Sequence, residues 1–420
     1  MAKKKVEKPR RELTKRQLSR RQQQERRRRL IFGVGILVVV AVLGVIASGV
    51  YNRWYVTDYK PLHETVIEVN GTKFNMDYYV KMLQYYGMDM SMEEIVGMTD
   101  KVAEAIIRNE LMKQEAYKMG YSVSDRDVEL ALASSNYPLK KDYWDVVRAG
   151  MLGQLLADDF FDKQVPTQAE QRQIMAMFLE SEDKVNEVKA RLEAGEDFGK
   201  LASELSLDAN TKDKSGDLGL HPQGVLTQSL GISVIDDYAF SAKAGEVSQP
   251  LYDAETQKKA GYWLIKVLDK LESGAPHVHP ILFGTKEQAE EIKARVEAGE
   301  DFDTLQGEYT QDQASRCLYG LEPGTMSAAF DKFVFDPELK LETISDPIRD
   351  DTVTTKGGYW LVKVGGVESG KDITTEDRDL LKALALKKWS DALLADPNNK
   401  IINYLDEDKK NWALGKVFWG

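Results

Sequence analysis

The chain repeats itself after position 180, and the repeat limits what it can fold into. Lys189-Ala-Arg-Leu-Glu-Ala-Gly-Glu-Asp-Phe198 returns as Lys293-Ala-Arg-Val-Glu-Ala-Gly-Glu-Asp-Phe302, and Gly261-Tyr-Trp-Leu-Ile-Lys-Val267 returns as Gly358-Tyr-Trp-Leu-Val-Lys-Val364. Between these anchors Leu201, Glu204, Ser206 and Asp208 match Leu305, Glu308, Thr310 and Asp312 at a constant offset of 104 residues. Farther on, Val247-Ser-Gln-Pro-Leu251 matches Ile344-Ser-Asp-Pro-Ile348 at an offset of 97, so the second copy is seven residues shorter in the intervening loop. A unit of about a hundred residues has the size of a domain, not of a solenoid repeat. Two related domains are therefore expected in tandem, each reading strand, helix, helix, loop, strand, strand.

Charge is distributed unevenly. Residues 1–29 hold 14 Lys or Arg against three Glu, while the whole chain of 420 residues carries a net charge of −11. Directly after Arg26-Arg-Arg-Arg29 come 21 residues, Leu30 to Val50, without a charge. That is long enough to cross a bilayer as one helix. A basic flank keeps its side in the cytoplasm, and Asn52-Arg53-Trp54-Tyr55 supplies interfacial aromatics on the other. The expectation is a single-pass anchor with a cytoplasmic N-terminus and an extracytoplasmic bulk. The span is longer than the apolar stretch of a cleaved signal, and Ala47-Ser-Gly49 is a loose cleavage site. With the basic stretch read as an anchor flank and not as a nucleic-acid arm, no nucleic-acid partner is expected. Cys317 is the only cysteine, so no intrachain disulfide can form.

The rest divides by pattern. Val66 to Phe74 places an Asn70-Gly71 turn between short apolar alternations and reads as a hairpin. Thr99 is placed to cap a helix carrying Val102, Ile106, Met112 and Ala116 at helical spacing, ended by Gly120; Ser124 starts another, with Asp127 in a capping-box position. Met and Tyr are dense at the start of this region (Met76, Tyr78, Tyr79, Met82, Tyr85, Tyr86, Met88, Met90, Met92), either filling a core or forming a pliable apolar surface for varied peptides. Val165-Pro166-Thr167 and Ser273-Gly-Ala-Pro276 mark junctions. Thr374 is placed to cap a helix running to about Ala395 and stopped by Pro397, and this helix is expected to pack back on the N-terminal domain. The boundaries that follow are a basic cytoplasmic segment 1–29, an anchor 30–50, a helical domain 66–164, repeat domains 167–272 and 276–368, and a C-terminal helical segment 374–420. The fold class is α+β.

Gly195-Glu-Asp-Phe198, Ser206-Leu-Asp208, Ser215-Gly-Asp-Leu-Gly219 and Gly245-Glu-Val-Ser-Gln-Pro250, in that order, make each repeat resemble the parvulin (PpiC-type) family of peptidyl-prolyl cis/trans isomerases. Glu68-Val-Asn-Gly71, the Leu111 to Gly120 helix and Val123-Ser-Asp125 make residues 66–135 similar to the N-terminal chaperone domain of SurA/PrsA-type foldases. The resemblance implies antiparallel sheets flanked by helices, and unfolded or proline-containing polypeptides as partners.

It also implies a site. Such domains hold the proline in an apolar pocket over a polar floor of two histidines, one on each central strand, with an acidic residue or Cys beside them, and they speed a rotation whose barrier is about 18–20 kcal/mol. Here the first-strand position is read as Met177 in one copy and Pro280 in the other, and the last-strand position as Trp263 and Trp360. Indole donates a hydrogen bond but accepts none, so it cannot replace imidazole. Asp208 and Asp312 remain at the acidic position. The expected pocket residues are Met326, Phe330 and Phe335 in the second copy and Leu226, Ile235 and Phe240 in the first. His277 and His279 alternate on a strand and share a face, but no third ligand is visible in the sequence, and no metal or cofactor is expected. Three readings stay open: a foldase that binds clients with weak or absent isomerase activity, an active isomerase using Asp312 in the second copy, and an envelope scaffold.

Overall fold

The computed structural model describes residues 37–45, 48–49, 51–134, 141–270, 274–311 and 316–419, in two compact units, 1–152 with 390–420 and 153–389. Of the expected anchor, residues 37–45 and 48–49 are helical and exposed; the remainder, like the 1–29 segment, lies outside the described residues. Among the described residues no helix is long and apolar enough to cross a membrane.

The first unit begins with the expected hairpin, β1 (Thr65–Val69) and β2 (Thr72–Asn75), turning on Asn70 and Gly71 at positive φ. Helices α1 (Met76–Tyr86), α2 (Met92–Val96), α3 (Thr99–Lys118), α4 (Asp125–Ser134) and α5 (Trp144–Leu155) follow. Thr99 turns out to be the first helical residue of α3, its hydroxyl donating to the Val96 carbonyl while Met98 occupies the cap. Ser124 and Asp127 do cap α4 reciprocally, at 3.2 and 3.3 Å. Met76, Tyr79 and Met82 are core, packed with Val66, Ile67 and Ile106, whereas Met90, Met92 and Val96 stay exposed.

The second unit holds both repeats. The first contributes β3 (Gln168–Leu179), α6 (Glu182–Glu193), α7 (Phe198–Leu205), α8 (Ala209–Asp213), β4 (Asp217–Pro222), α9 (Val225–Leu230), α10 (Val234–Ser241), β5 (Leu251–Lys258) and β6 (Gly261–Lys270). The second contributes β7 (Pro276–Phe283), α11 (Lys286–Glu297), α12 (Phe302–Tyr309), β8 (Leu318–Tyr319), α13 (Ala328–Val334), β9 (Ile348–Asp350) and β10 (Thr355–Asp372). α14 (Thr375–Ala395) follows. Two four-stranded antiparallel sheets result, ordered β4-β3-β10-β5 and β8-β7-β6-β9.

The pairing crosses the sequence boundary between the repeats. β6, the closing strand of the first copy, lies beside β7 of the second, with Trp263 opposite Leu282; β10, the closing strand of the second copy, lies beside β3 of the first, with Trp360 opposite Phe178. Instead of the contiguous domains expected at 167–272 and 276–368, the first lobe is closed by residues 355–372 and the second is built from residues 261–350. Hydrogen bonds follow the exchange: the Val362 amide donates to Ser248 Oγ at 3.0 Å, and the Ile265 amide to Ser345 Oγ at 2.9 Å. Turn chemistry accounts for it. A two-residue reversal from β5 into β6 would fall on Lys259-Ala260, neither suited to the positive φ that such turns require. The chain instead runs on into the other sheet, with Ala260 fully buried.

Each sheet is covered on both faces. In the first lobe Met177, Leu179 and Leu361 meet α6 and α7, while Ala176, Phe178, Trp360 and Val362 meet α9 and α10. In the second, Leu264, Ile281 and Phe283 meet α11 and α12, while Trp263, Val278 and Leu282 meet α13. Matched hydroxyls pin the first strands, Ser206 Oγ and Thr310 Oγ1 each accepting a strand amide at 3.1 Å.

The chain ends with β11 (Ile401–Asn403) and α15 (Glu407–Trp419), which belong to the first unit. β11 pairs with β1, giving a sheet ordered β11-β1-β2, and Ala413 joins the N-terminal core. The helix expected to pack back, α14, belongs to the second unit as far as Trp389; the tail after it, through β11 and α15, is what joins the N-terminal core.

Candidate functional site

At the closing-strand position both lobes carry a buried indole tied to a buried carboxylate. Trp360 Nε1 donates to Asp253 Oδ2 at 2.9 Å, and Trp263 Nε1 to Asp350 Oδ2 at 2.9 Å. Asp253 also accepts from the Glu255 amide at 2.8 Å and from the Thr256 hydroxyl; Asp350 accepts from the Thr352 amide at 2.9 Å, the Thr352 hydroxyl at 2.7 Å and the Ser327 hydroxyl. Burial pushes each carboxyl upward, but these donors outweigh it and hold both below the ordinary carboxylate value. The rings pack as core: Trp360 lies 4.8 Å from Phe178, and Trp263 meets Phe330 edge-on at 5.3 Å. Where an imidazole floor would stand, each lobe has a donor whose only hydrogen is already used.

The first-strand position differs from the sequence reading in the first copy. Met177 faces α6 and α7, on the opposite side of the sheet from Trp360; Ala176 is the residue on the Trp360 face. Ile174 to Leu179 is apolar throughout and buried on both faces, so alternation cannot reveal which side chains point where. In the second copy Pro280 lies between Val278 and Leu282, which face Trp263, and by alternation it shares their side. His277 and His279 leave the other face, toward α12, where the His279 ring meets Asp303 at 2.6 Å.

Asp208 caps α8, accepting from the Thr211 amide at 2.8 Å. Asp312 lies outside the described residues. Of the expected pocket residues, Leu226, Ile235 and Phe330 are fully packed in the cores, and only Phe240, Met326 and Phe335 are half-buried. Helical spacing marks an apolar face without distinguishing a wall from an interior.

An open apolar site exists nearby. A cavity of about 800 Å³ on the first lobe is lined by Val165, Pro166, Phe240, Ile373, Leu381 and Leu384, with the charged Glu170, Asp237 and Lys388 also on its wall. Arg172 steadies the wall, stacking over the Phe240 ring at 5.1 Å and donating to the Ala239 and Ala242 carbonyls at the end of α10. Sequence reasoning found only Phe240 of this set, because the opposing wall comes from α14, more than a hundred residues later. His221 fastens that helix to the first lobe, its Nδ1 lying 3.0 Å from Asp377.

The sequence profile of the PPIC-type PPIASE domain matches residues 166–269, and that of the SurA-like N-terminal domain matches residues 18–142. Foldase protein PrsA of Caldanaerobacter subterraneus subsp. tengcongensis is 30% identical over 180 residues, 40% of this chain and 56% of that protein. Foldase protein PrsA of Clostridium tetani is 25% identical over 235 residues, covering 46% and 66%. The Parvulin-like PPIase of Rickettsia bellii is 29% identical over 206 residues, covering 48% and 66%. The matches thus span from just over half to just under two thirds of the relatives' length. The crystal structure of peptidylprolyl isomerase PrsA from Bacillus anthracis aligns with 74% of this chain and 93% of its own at 14% identity and a TM-score of 0.30.

Proposed function

Since the chain belongs to the SurA/PrsA-type foldases, with a SurA-like N-terminal domain followed by a PPIC-type domain, we propose that it is a membrane-anchored extracytoplasmic chaperone whose parvulin lobes bind polypeptide without isomerising it. The observation that carries this reading is the pair of buried tryptophans. Isomerisation needs the twisted amide held better than the planar one, and here an engaged indole stands beside Ala176 or Pro280 in each lobe, with Phe330, Leu226 and Ile235 buried in the surrounding cores.

Client binding then falls to apolar surface that remains open. The cavity beside Phe240 offers an apolar slot with charges of both signs on its wall, suited to an extended, mostly apolar segment. Met90, Met92 and Val96 add an exposed, adaptable patch on the N-terminal unit. Anchoring, with the bulk outside the cytoplasm, is supported by the uncharged Leu30 to Val50 stretch behind a basic flank.

The full-length protein is expected to slow aggregation of an unfolded client without ATP while leaving the cis/trans relaxation of a prolyl tetrapeptide at its uncatalysed rate. Phe240→Ala should weaken client-peptide binding by about 1–3 kcal/mol, as for a central contact residue. Robust isomerisation by the wild-type protein would overturn the proposal.

A further inference from the structure

His277 and His279 stand two residues apart on β7 and leave the same face of the sheet, the one opposite Trp263. The fold brings the single cysteine to them. β8 pairs with β7, setting Tyr319 opposite His277, and Cys317, just before β8, places Sγ 3.6 Å from His277 Nε2. One ligand atom from each of His277, His279 and Cys317 can be chosen so that all lie within 4.8 Å of one another.

The His279 ring is oriented by a hydrogen-bonded carboxylate and the His277 ring by stacking. His279 Nδ1 lies 2.6 Å from Asp303 Oδ1, and His277 Nδ1 lies 3.6 Å from Asp269 Oδ2, with Tyr319 stacked on the His277 ring at 3.7 Å. A carboxylate on Nδ1 fixes the imidazole's orientation and leaves Nε2 to coordinate, the usual arrangement behind a metal-bound histidine. A thiol–imidazole hydrogen bond would explain the Cys317–His277 contact alone. It would not explain a second imidazole converging on the same point, nor the carboxylate behind that second ring.

We propose that His277, His279 and Cys317 form a zinc site, beyond the chaperone reading and independent of it. Two imidazoles and a thiolate suit zinc and not the hard, oxygen-seeking magnesium or calcium, and three protein ligands leave a fourth position open. Cys317 is exposed, so that position faces solvent. On the face away from Trp263, the metal would tie the segment entering β8 to the central strand β7 and would take no part in peptide binding.

The test uses the full-length protein stripped of metal by a chelator. Zinc titrated against a chromophoric chelator should bind at one equivalent. Cobalt(II) should give a near-ultraviolet thiolate charge-transfer band with visible bands of a tetrahedral site. Zinc should also protect Cys317, the chain's only thiol, from alkylation. Cys317→Ser should abolish the charge-transfer band, and both Cys317→Ser and His279→Gln should weaken zinc binding more than about tenfold; these side chains are exposed and half-buried, so circular dichroism should be unchanged. Binding of less than one equivalent at micromolar zinc, cobalt binding without a charge-transfer band, or undiminished affinity in Cys317→Ser would overturn the site. Tighter binding of copper(I) through the same residues would overturn its assignment to zinc.

Discussion

The two tryptophan–aspartate pairs stand where the family resemblance places histidines, and what they contribute to the fold shows in energetics. Trp263→Phe keeps an aromatic ring against Phe330 but removes one of the four donors to Asp350, which is 2% exposed. Losing a donor to a buried acceptor should cost about 1–3 kcal/mol at neutral pH, read from denaturant unfolding. The loss should depend on pH. Asp350 sits below its ordinary value when folded, so across that window the unfolded chain binds more protons and stability rises with pH; the contribution is complete above about pH 4 and is lost as pH falls through the folded value. Without the indole the folded value moves up, so the variant and wild type should converge in acid. A deficit that persists unchanged at low pH would mean that ring packing, not the hydrogen bond, was lost. The tryptophans themselves were legible from Gly261-Tyr-Trp263 and Gly358-Tyr-Trp360. The face of Met177 was not, because an uninterrupted apolar strand carries no alternation to read.

At the scale of elements, the closing strands are so alike that sequence specifies the strand but not its partner. Gly261 to Val267 and Gly358 to Val364 differ at one position, Ile265 against Val362, and either would satisfy either sheet. The repeat, its strand order and the helical N-terminal domain could therefore be anticipated, whereas the exchange depends on a missing turn residue and on pairings across nearly two hundred residues. Directly opposed antiparallel residues are spaced for a disulfide. With Cys317 replaced by Ser, the pair Gln173→Cys and Gly365→Cys, adjacent at the bulge of the β3–β10 ladder, should oxidise to an intramolecular bridge; a Cβ at Gly365 lies 3.4 Å from Gln173 Cβ. The pair Gln173→Cys and Leu268→Cys, which contiguous repeats would bring together, should not. Peptide mapping under non-reducing conditions distinguishes them, and a 173–268 bridge would reject the exchanged arrangement.

At the scale of the whole molecule, each compact assembly is closed by a segment distant in sequence. β1 receives β11 along Ile67 to Val69, and Asn70 is bound by Asn399 and Lys400. Deleting residues 399–420 should leave the core around Val66 and Ile67 open, so limited proteolysis should degrade the N-terminal unit while residues 153–389 persist as a fragment. Equal resistance of both would show that β11 and α15 are dispensable. The metal cluster and the α14 wall of the cavity escaped the sequence for the same reason, since their members meet only once distant segments are paired. The closing-strand exchange has a further consequence in time. A chain made from its N-terminus presents β3 long before β10, so the first lobe cannot take its final form until residue 372 has emerged, and the N-terminal unit waits for residue 403. Only the inner lobe, residues 261–350, completes in the order it is made. The molecule closes from its middle outward, and until the last strand arrives β6 is a near-identical stand-in at the first lobe's gap, so a pause in delivery near residue 300 would favour a transient partner that later synthesis must displace.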